Sequence, residues 1–200
     1  MNTFQQRRDE VITTLIDGDE QSARVYIESI GDSDERDAAR THLAQFLTNR
    51  NLACNRALKD VFQIVGEIEN LTEKLDSLLA ISRILNGHHR LNEAREVLRD
   101  IETLSQGSSE RAGFTFLIAI ELECLGLRSD VIQALKRALA LSSMVRDDSS
   151  TAKAALWMAR WGAEGDAETA INALTTESIR DNAVERLKEI RAFKRREVIG

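Results

Sequence analysis

Proline is absent from this 200-residue sequence, glycine occurs ten times, and aromatic residues make up only 4% of the chain. Hairpin turns require residues such as glycine and proline, and strands favour aromatic and β-branched residues. The sequence is rich instead in alanine, leucine, glutamate and arginine, which are strong helix formers. These absences exclude a sheet protein and predict an all-α fold with short connections between helices.

Other features of the sequence limit the class of function. The net charge of −6 opposes a general nucleic-acid-binding role, because such a role needs a cationic surface. No apolar run reaches the length of about 18 residues expected of a membrane span. The opening stretch MNTFQQRRDEV lacks the apolar core of a secretion signal, which favours a cytoplasmic protein with no membrane partner.

An internal repeat organises the sequence. Each repeat has an apolar helix, a corner of Gly, Asn or Asp, and a second helix that starts with a small residue followed by apolar residues at +4 and +7. We place these anchor residues at Ala23, Ala57, Ala94, Val131 and Ala170, which are 34, 37, 37 and 39 residues apart, and the +7 position is polar only after Ala170, at Glu177. One such hairpin cannot bury its own apolar face, whereas stacked neighbours can.

The expected architecture is therefore a superhelical stack of about five helical hairpins in a single domain, residues 1–200. The hairpins span about 3–30, 34–66, 71–105, 109–143 and 149–176, and a capping helix follows at about 179–197. Two hairpins resemble the tetratricopeptide-like (TPR-like) family, through Leu78, Ile81, Ser82, Leu85, Ala94, Leu98 and Ile101 in one and Ile118, Ala119, Leu122, Val131, Leu135, Ala138 and Leu139 in the other. Two segments, SDERDAARTHLAQFL and SIRDNAVERLKEI, resemble HEAT-like repeats instead. Both resemblances imply a helical-repeat scaffold that binds proteins and carries no catalytic activity.

The adjacent histidines His88 and His89 are the sharpest candidates for chemistry. Neighbouring side chains on a helix point about 100° apart and cannot chelate one ion as an i,i+4 pair does. We therefore predict that Gly87–His89 is a corner between two helices, with Gly87 at or near a helix end. The sequence also lacks a phosphate-binding glycine loop, a nucleophile elbow and an HExxH motif. It predicts no catalytic residue, no metal ligand and no cofactor.

The two cysteines, Cys54 and Cys124, lie in apolar helical surroundings. We expect both to be buried and reduced, as is common in a reducing compartment. A disulfide between them is the alternative, but two repeats separate them, and solenoid repeats contact only their neighbours.

Two first helices, in 111–126 and 151–165, are apolar nearly all round and must be covered on all sides. Either the C-terminal helix, through Ile190 and Phe193, or another chain covers them. The basic C-terminal helix is itself either a solvated end or a docking element for an acidic partner. If a partner covers the two apolar helices, its expected anchors are Phe116, Ile120, Trp157 and Trp161.

The sequence predicts a non-catalytic scaffold or adaptor whose partner is a protein or peptide, including a second copy of the chain in a homo-oligomer. A dedicated chaperone or regulator that binds one peptide segment is an alternative. An all-α enzyme is a third alternative, which would need acidic or histidine clusters that the sequence does not display.

Overall fold

The computed structural model describes residues 13, 20–54, 56–108 and 110–199. Within these ranges the chain forms ten α-helices, one 3-10 turn at Ser105–Gly107 and no strand, so the predicted all-α class is confirmed. The first helix of the first predicted hairpin lies outside the described residues. The helices are α1 (Glu20–Glu28), α2 (Ser33–Ala53), α3 (Lys59–Gly66), α4 (Leu71–Gly87), α5 (Leu91–Leu104), α6 (Arg111–Cys124), α7 (Arg128–Met144), α8 (Asp148–Arg160), α9 (Glu164–Asn172) and α10 (Glu177–Ile199).

Four corners between helices share one backbone geometry. Each has a residue with positive φ: His89 (59°), Gly126 (72°), Arg146 (56°) and Gly162 (93°). The amide of this residue donates to the carbonyl three residues earlier, and the next amide donates to the carbonyl five residues before it. These are the bonds of a Schellman motif, which satisfies the last carbonyls of a helix.

The corner predicted at Gly87–His89 is confirmed, since α4 ends at Gly87. The left-handed residue there is His89 rather than the glycine.

The second helix of each repeat buries a small or β-branched residue together with the residues four and seven positions later. The five buried triplets are Ala23/Ile27/Ile30, Val61/Val65/Ile68, Ala94/Leu98/Ile101, Val131/Leu135/Ala138 and Ala167/Ile171/Leu174. Each of these side chains is at most 3% exposed. The first two members of each triplet lie on one helix face, and Ile30, Ile68 and Leu174 lie two residues beyond the ends of α1, α3 and α9.

Two of the predicted repeat anchors are wrong. Ala57 lies before the start of α3 and is exposed, so Val61, one turn later, takes its place. In the last repeat the anchor is Ala167 rather than the half-buried Ala170. This shift also explains why the position seven residues after Ala170 is polar.

The cysteine prediction is also wrong in part, because both thiols are exposed; they are free, with no disulfide between them. Cys54 caps the end of α2, and Cys124 is the last residue of α6. Leu122 and Leu125, on either side of Cys124, are buried, so the Cys124 thiol is exposed because it lies off the buried face of α6.

The chain divides into two compact units, residues 1–101 and 102–200. In the first unit α1 packs on α2, and α2 packs on both α3 and α4. The side chain of Ser82 in α4 donates to the carbonyl of Ala94 in α5. The single continuous array predicted for residues 1–200 stays a prediction.

A buried ionic network fixes the first unit around α2. Asp37 is 1% exposed, and one of its carboxylate oxygens accepts the backbone amides of Glu69 (2.9 Å) and Asn70 (2.7 Å). Its other oxygen accepts a bond from Arg40 at 3.2 Å, and Arg40 also pairs with Glu28 at 2.9 Å. Asp37 therefore ties α2 to the loop that begins the next repeat.

In the second unit α8 lies against four other helices: α6, α7, α9 and α10. Its buried face consists mainly of alanines, namely Ala152, Ala154, Ala155 and Ala159. Small side chains allow helices to approach closely, so an alanine-rich helix can accommodate this many neighbours. The crowding explains why the sequence of α8 is apolar nearly all round.

Candidate protein-binding surface

The four predicted anchor residues lie in α6 and at the C-terminal end of α8. Phe116 and Ile120 are one turn apart on α6, and Trp157 and Trp161 are one turn apart at the end of α8. The structure brings Phe116 against Trp157, with ring centroids 6.0 Å apart and ring planes at 86°. All four side chains are half-buried, so each retains a face that another molecule can contact.

Two arginines stack on the tryptophans. The guanidinium of Arg160 lies 5.2 Å from the ring centroid of Trp157, and that of Arg128 lies 5.7 Å from the ring centroid of Trp161. A guanidinium over an indole face is attracted by the ring quadrupole. We call the surface formed by Phe116, Ile120, Arg128, Trp157, Arg160 and Trp161 the aromatic–arginine patch.

A groove of about 540 Å³ adjoins this patch between α8 and α10. Trp157 and Arg160 belong to both the patch and the groove wall, so the two surfaces are continuous. The wall also contains Lys153 and Leu156 from α8, with Asn182, Glu185, Arg186, Glu189 and Ile190 from α10. This α8–α10 groove is open to solvent and carries apolar, cationic and anionic side chains.

The C-terminal helix covers part of α8, as one of the two sequence-based alternatives predicted. α10 packs against α8 and α9, and Ile190 lies in the groove wall with Trp157. Phe193, however, is 61% exposed and does not contribute a buried cover. The anchors on α6 and α8 therefore stay accessible beside α10.

Two cations in the C-terminal part of α10, Arg191 and Lys194, form ion pairs with carboxylates of α9. Arg191 bonds Glu168 at 2.5 Å, and Lys194 bonds Glu164 at 3.2 Å and the carbonyl of Ala159 at 2.6 Å. The hydrogen bond from Arg191 lowers the pKa of Glu168 below its ordinary value. Both carboxylates lie in α9, and Glu164 is in its first turn, near the positive end of that helix dipole. Arg191 and Lys194 thus stabilise the unit internally.

A second groove, of about 580 Å³, lies among α7, α8 and α9. Lys136 and Asp166, both in its wall, pair with each other at 2.9 Å. The carboxylate of Asp148 accepts hydrogen bonds from the backbone amides of Thr175 (3.0 Å) and Thr176 (2.6 Å). These charged groups are therefore committed to internal contacts, unlike the arginines of the aromatic–arginine patch.

Neither histidine of the α4–α5 corner belongs to a candidate site. His88 and His89 are both exposed. Across the described ranges no group of three or more His, Cys, Asp or Glu side chains is arranged to hold a metal ion. Among the same residues, no helix has the length and apolar character needed to span a bilayer.

Sequence reasoning missed the two arginines of the patch. Arg160 follows Trp157 by three residues and lies beside Trp161, a local spacing that could have revealed it. Arg128 stands 33 residues before Trp161, and only the packing of the α7 N-terminus beside the end of α8 brings them together. No local pattern in the sequence signals that contact.

Comparison with solved structures agrees with this architecture. The chain is similar to a Podosopora anserina protein assigned as a kinesin light chain with nearly identical TPR-like repeats, with a TM-score of 0.51 and 16% sequence identity. A single-substitution variant of that protein gives a TM-score of 0.50 and the same identity. Each match covers 97% of both chains. No family model and no curated protein sequence matches this chain.

The fold is therefore a TPR-like helical repeat, and the resemblance predicted from the second helices is confirmed. At 16% identity the likeness establishes the fold alone. TPR-like repeats commonly bind proteins and are generally non-catalytic.

Proposed function

We propose that this chain is a non-catalytic scaffold or adaptor that binds a protein or peptide through the aromatic–arginine patch. The observation that carries the proposal is the half-exposed cluster of Phe116, Trp157 and Trp161 on adjacent helices of a TPR-like fold. Tryptophan and arginine are enriched among the residues that dominate binding energy at protein interfaces. The patch combines both residue types with an aliphatic neighbour, Ile120.

The physical basis is the combination of rigid support and accessible apolar area. Buried alanines of α8 fix the helix that carries Trp157 and that Trp161 caps, so the orientation of both rings is set before a partner arrives. Preorganised side chains lose less conformational entropy on binding than mobile ones. A partner that covers the exposed faces of these rings would remove apolar surface from water.

Tryptophan fluorescence reports on the patch directly, because Trp157 and Trp161 are the only two tryptophans in the chain. Affinity purification with the intact chain should recover a stoichiometric protein partner. Mixing the purified pair should then change the emission of the two tryptophans. Sedimentation of the chain alone as a monomer would show that the partner is not a second copy of the chain.

Charged substitutions test the location of the surface. We expect Trp161→Glu and Phe116→Glu to abolish association while the helical circular-dichroism signal and Tm stay close to those of the native chain. Phe62→Glu is the matched control, since Phe62 is an aromatic side chain of the first unit that is 38% exposed. If Trp161→Glu and Phe116→Glu unfold the chain, these rings are core and the binding surface lies elsewhere. Retained association in folded variants would also reject the patch.

A further inference from the structure

The inward face of α10 changes from apolar to cationic along its length. Ala183 and Leu187, one turn apart, are 2% and 4% exposed and fix the first part of the helix. Arg191 and Lys194 continue the same face, four and seven residues after Leu187. Residues 188–194, which we call the C-terminal arm, are all half-buried or exposed. Deep apolar burial therefore holds the first part of α10 in place but not the arm.

Polar contacts hold the arm to α8 and α9. Arg191 pairs with Glu168 at 2.5 Å and with Glu164 at 3.5 Å, and Lys194 pairs with Glu164 at 3.2 Å. Lys194 also donates to the carbonyl of Ala159 at 2.6 Å, near the negative end of the α8 dipole. All of these acceptors belong to other helices, so the contacts join the arm to the rest of the unit.

These ion pairs are too exposed to keep the arm closed at all times. The four paired side chains are between 30% and 50% exposed. Pairs at such sites contribute little to stability, and dissolved salt screens them. A segment with few buried apolar contacts opens at a low cost in free energy. The arm is therefore the part of α10 that opens most easily.

The closed arm lies beside the aromatic–arginine patch. Ile190 of the arm shares the wall of the α8–α10 groove with Trp157. The bond from Lys194 to Ala159 places the end of the arm at a residue of α8 that stands between Trp157 and Trp161 in the sequence. Opening of the arm therefore uncovers the side of Trp157 that faces the groove.

We propose that the C-terminal arm opens and closes over α8 in response to salt, while Ala183 and Leu187 keep the first part of α10 in place. In the closed state the arm restricts access to the groove side of Trp157, and in the open state Arg191 and Lys194 are released. The role of the arm in controlling binding rests on the proposed function, whereas the opening itself can be measured without a partner. A short helical segment is marginal in water, so the released arm loses its helical hydrogen bonds.

Hydrogen exchange of the intact chain, followed by mass spectrometry, tests the opening. The amides are compared in about 0.01 M and about 1 M salt, between which the Debye length falls from about 30 Å to about 3 Å. We expect the amides of 188–194 to exchange roughly tenfold faster in high salt, because both cations lose their ion pairs together. The amides of 183–187 should exchange at the same rate in both. Equal rates for the arm at the two salt concentrations would overturn the proposal.

Charge reversal tests whether the ion pairs to α9 close the arm. Arg191→Glu should give fast exchange of the arm in low salt, with a Tm close to that of the native chain. Adding Glu168→Arg restores a pair of reversed sign and should return slow exchange, which a merely distorted helix would not do. Lys188→Glu is the matched control, since Lys188 pairs with Glu185 of the same helix. An equal effect of Lys188→Glu, or no recovery in the double variant, would reject the role of these pairs.

Acrylamide quenching tests the cover over α8. Trp161→Phe leaves Trp157 as the one tryptophan of the chain. In this background we expect high salt, or Arg191→Glu, to increase quenching and to shift the emission to longer wavelength. Unchanged quenching together with faster exchange would show that the arm does not cover Trp157 and would overturn the proposal. None of these measurements involves a partner, so the arm and the scaffold function can fail separately.

Discussion

Replacing Asp37 with alanine removes the carboxylate that ties α2 to the loop before α4. That carboxylate is 1% exposed and accepts two backbone amides, at 2.9 and 2.7 Å, and one guanidinium bond from Arg40 at 3.2 Å. In Asp37→Ala the amides of Glu69 and Asn70 lose this acceptor. Arg40 keeps Glu28 and the carbonyl of Glu67 but loses its buried counter-ion.

The free-energy cost follows from these contacts. Each of the two backbone amides that loses its acceptor costs about 1–3 kcal/mol, and the lost bond to Arg40 adds to this cost although Arg40 keeps Glu28. We therefore expect Asp37→Ala to lower the free energy of unfolding by about 3–5 kcal/mol, a large share of the roughly 5–15 kcal/mol of a typical domain. Asp37→Asn keeps an oxygen acceptor and loses the charge, so its cost should be smaller, about 1.5–3 kcal/mol.

Urea unfolding followed by circular dichroism and by tryptophan fluorescence measures this effect. Both tryptophans lie in the second unit, so fluorescence follows that unit while circular dichroism follows both. Asp148→Ala is the matched control, because Asp148 also accepts two consecutive backbone amides but at an exposed site. Its effect should be clearly smaller. A change below about 1 kcal/mol in Asp37→Ala would refute the argument, since it would mean that the buried network contributes no more than a surface pair.

Three further predictions concern charge and backbone conformation. Burial, together with repulsion from neighbouring carboxylates, raises the pKa of Glu73. Glu73→Gln should therefore stabilise the chain at neutral pH, and the gain should vanish in acid, where Glu73 itself is protonated; urea unfolding at both pH values measures this. Hydrogen bonds from Thr176 and Thr175 lower the pKa of Asp148. The ionised carboxylate therefore stabilises the folded chain above the unfolded-state pKa of about 3.9, and this stabilisation is lost as the pH falls below that value. Asp148→Asn should weaken that acid dependence in fluorescence-monitored unfolding. Gly126→Ala should reduce stability by about 1 kcal/mol and lower Tm, because an L-residue with a side chain is strained at a φ of 72°. Gly87→Ala, at a helical site with no neighbouring atom within 4 Å, should raise Tm.

The sequence predicted the secondary structure and the hairpin pattern well, because both depend on local chemistry. Helix formers fill the segments, corner residues such as Gly87 and Gly126 separate them, and apolar spacing of three and four marks the inward face. These signals lie within a few residues of one another. The TPR-like fold followed from the recurrence of that local pattern along the chain.

Repeat phase and thiol burial were harder to predict. Ala57 and Val61 are one turn apart, so both suit the anchor position by spacing, and only the start of α3 at Lys59 decides between them. Cys54 and Cys124 have apolar neighbours in sequence, but Cys54 caps the end of α2, and Cys124 lies off the buried face of α6, between the buried Leu122 and Leu125. The exact ends of helices depend on tertiary packing more than on local propensity.

By itself the sequence determined that the chain is helical, that it repeats, and that Phe116, Ile120, Trp157 and Trp161 belong to helices too apolar for full exposure to water. Only the tertiary structure decided which faces stay accessible and which charges accompany them. The contact between Arg128 and Trp161, like that between Asp37 and the loop before α4, joins residues about 32 or 33 positions apart. Such contacts depend on how one helix packs beside another, because sequence periodicity fixes which face of a helix is buried but not which polar groups meet at its edge.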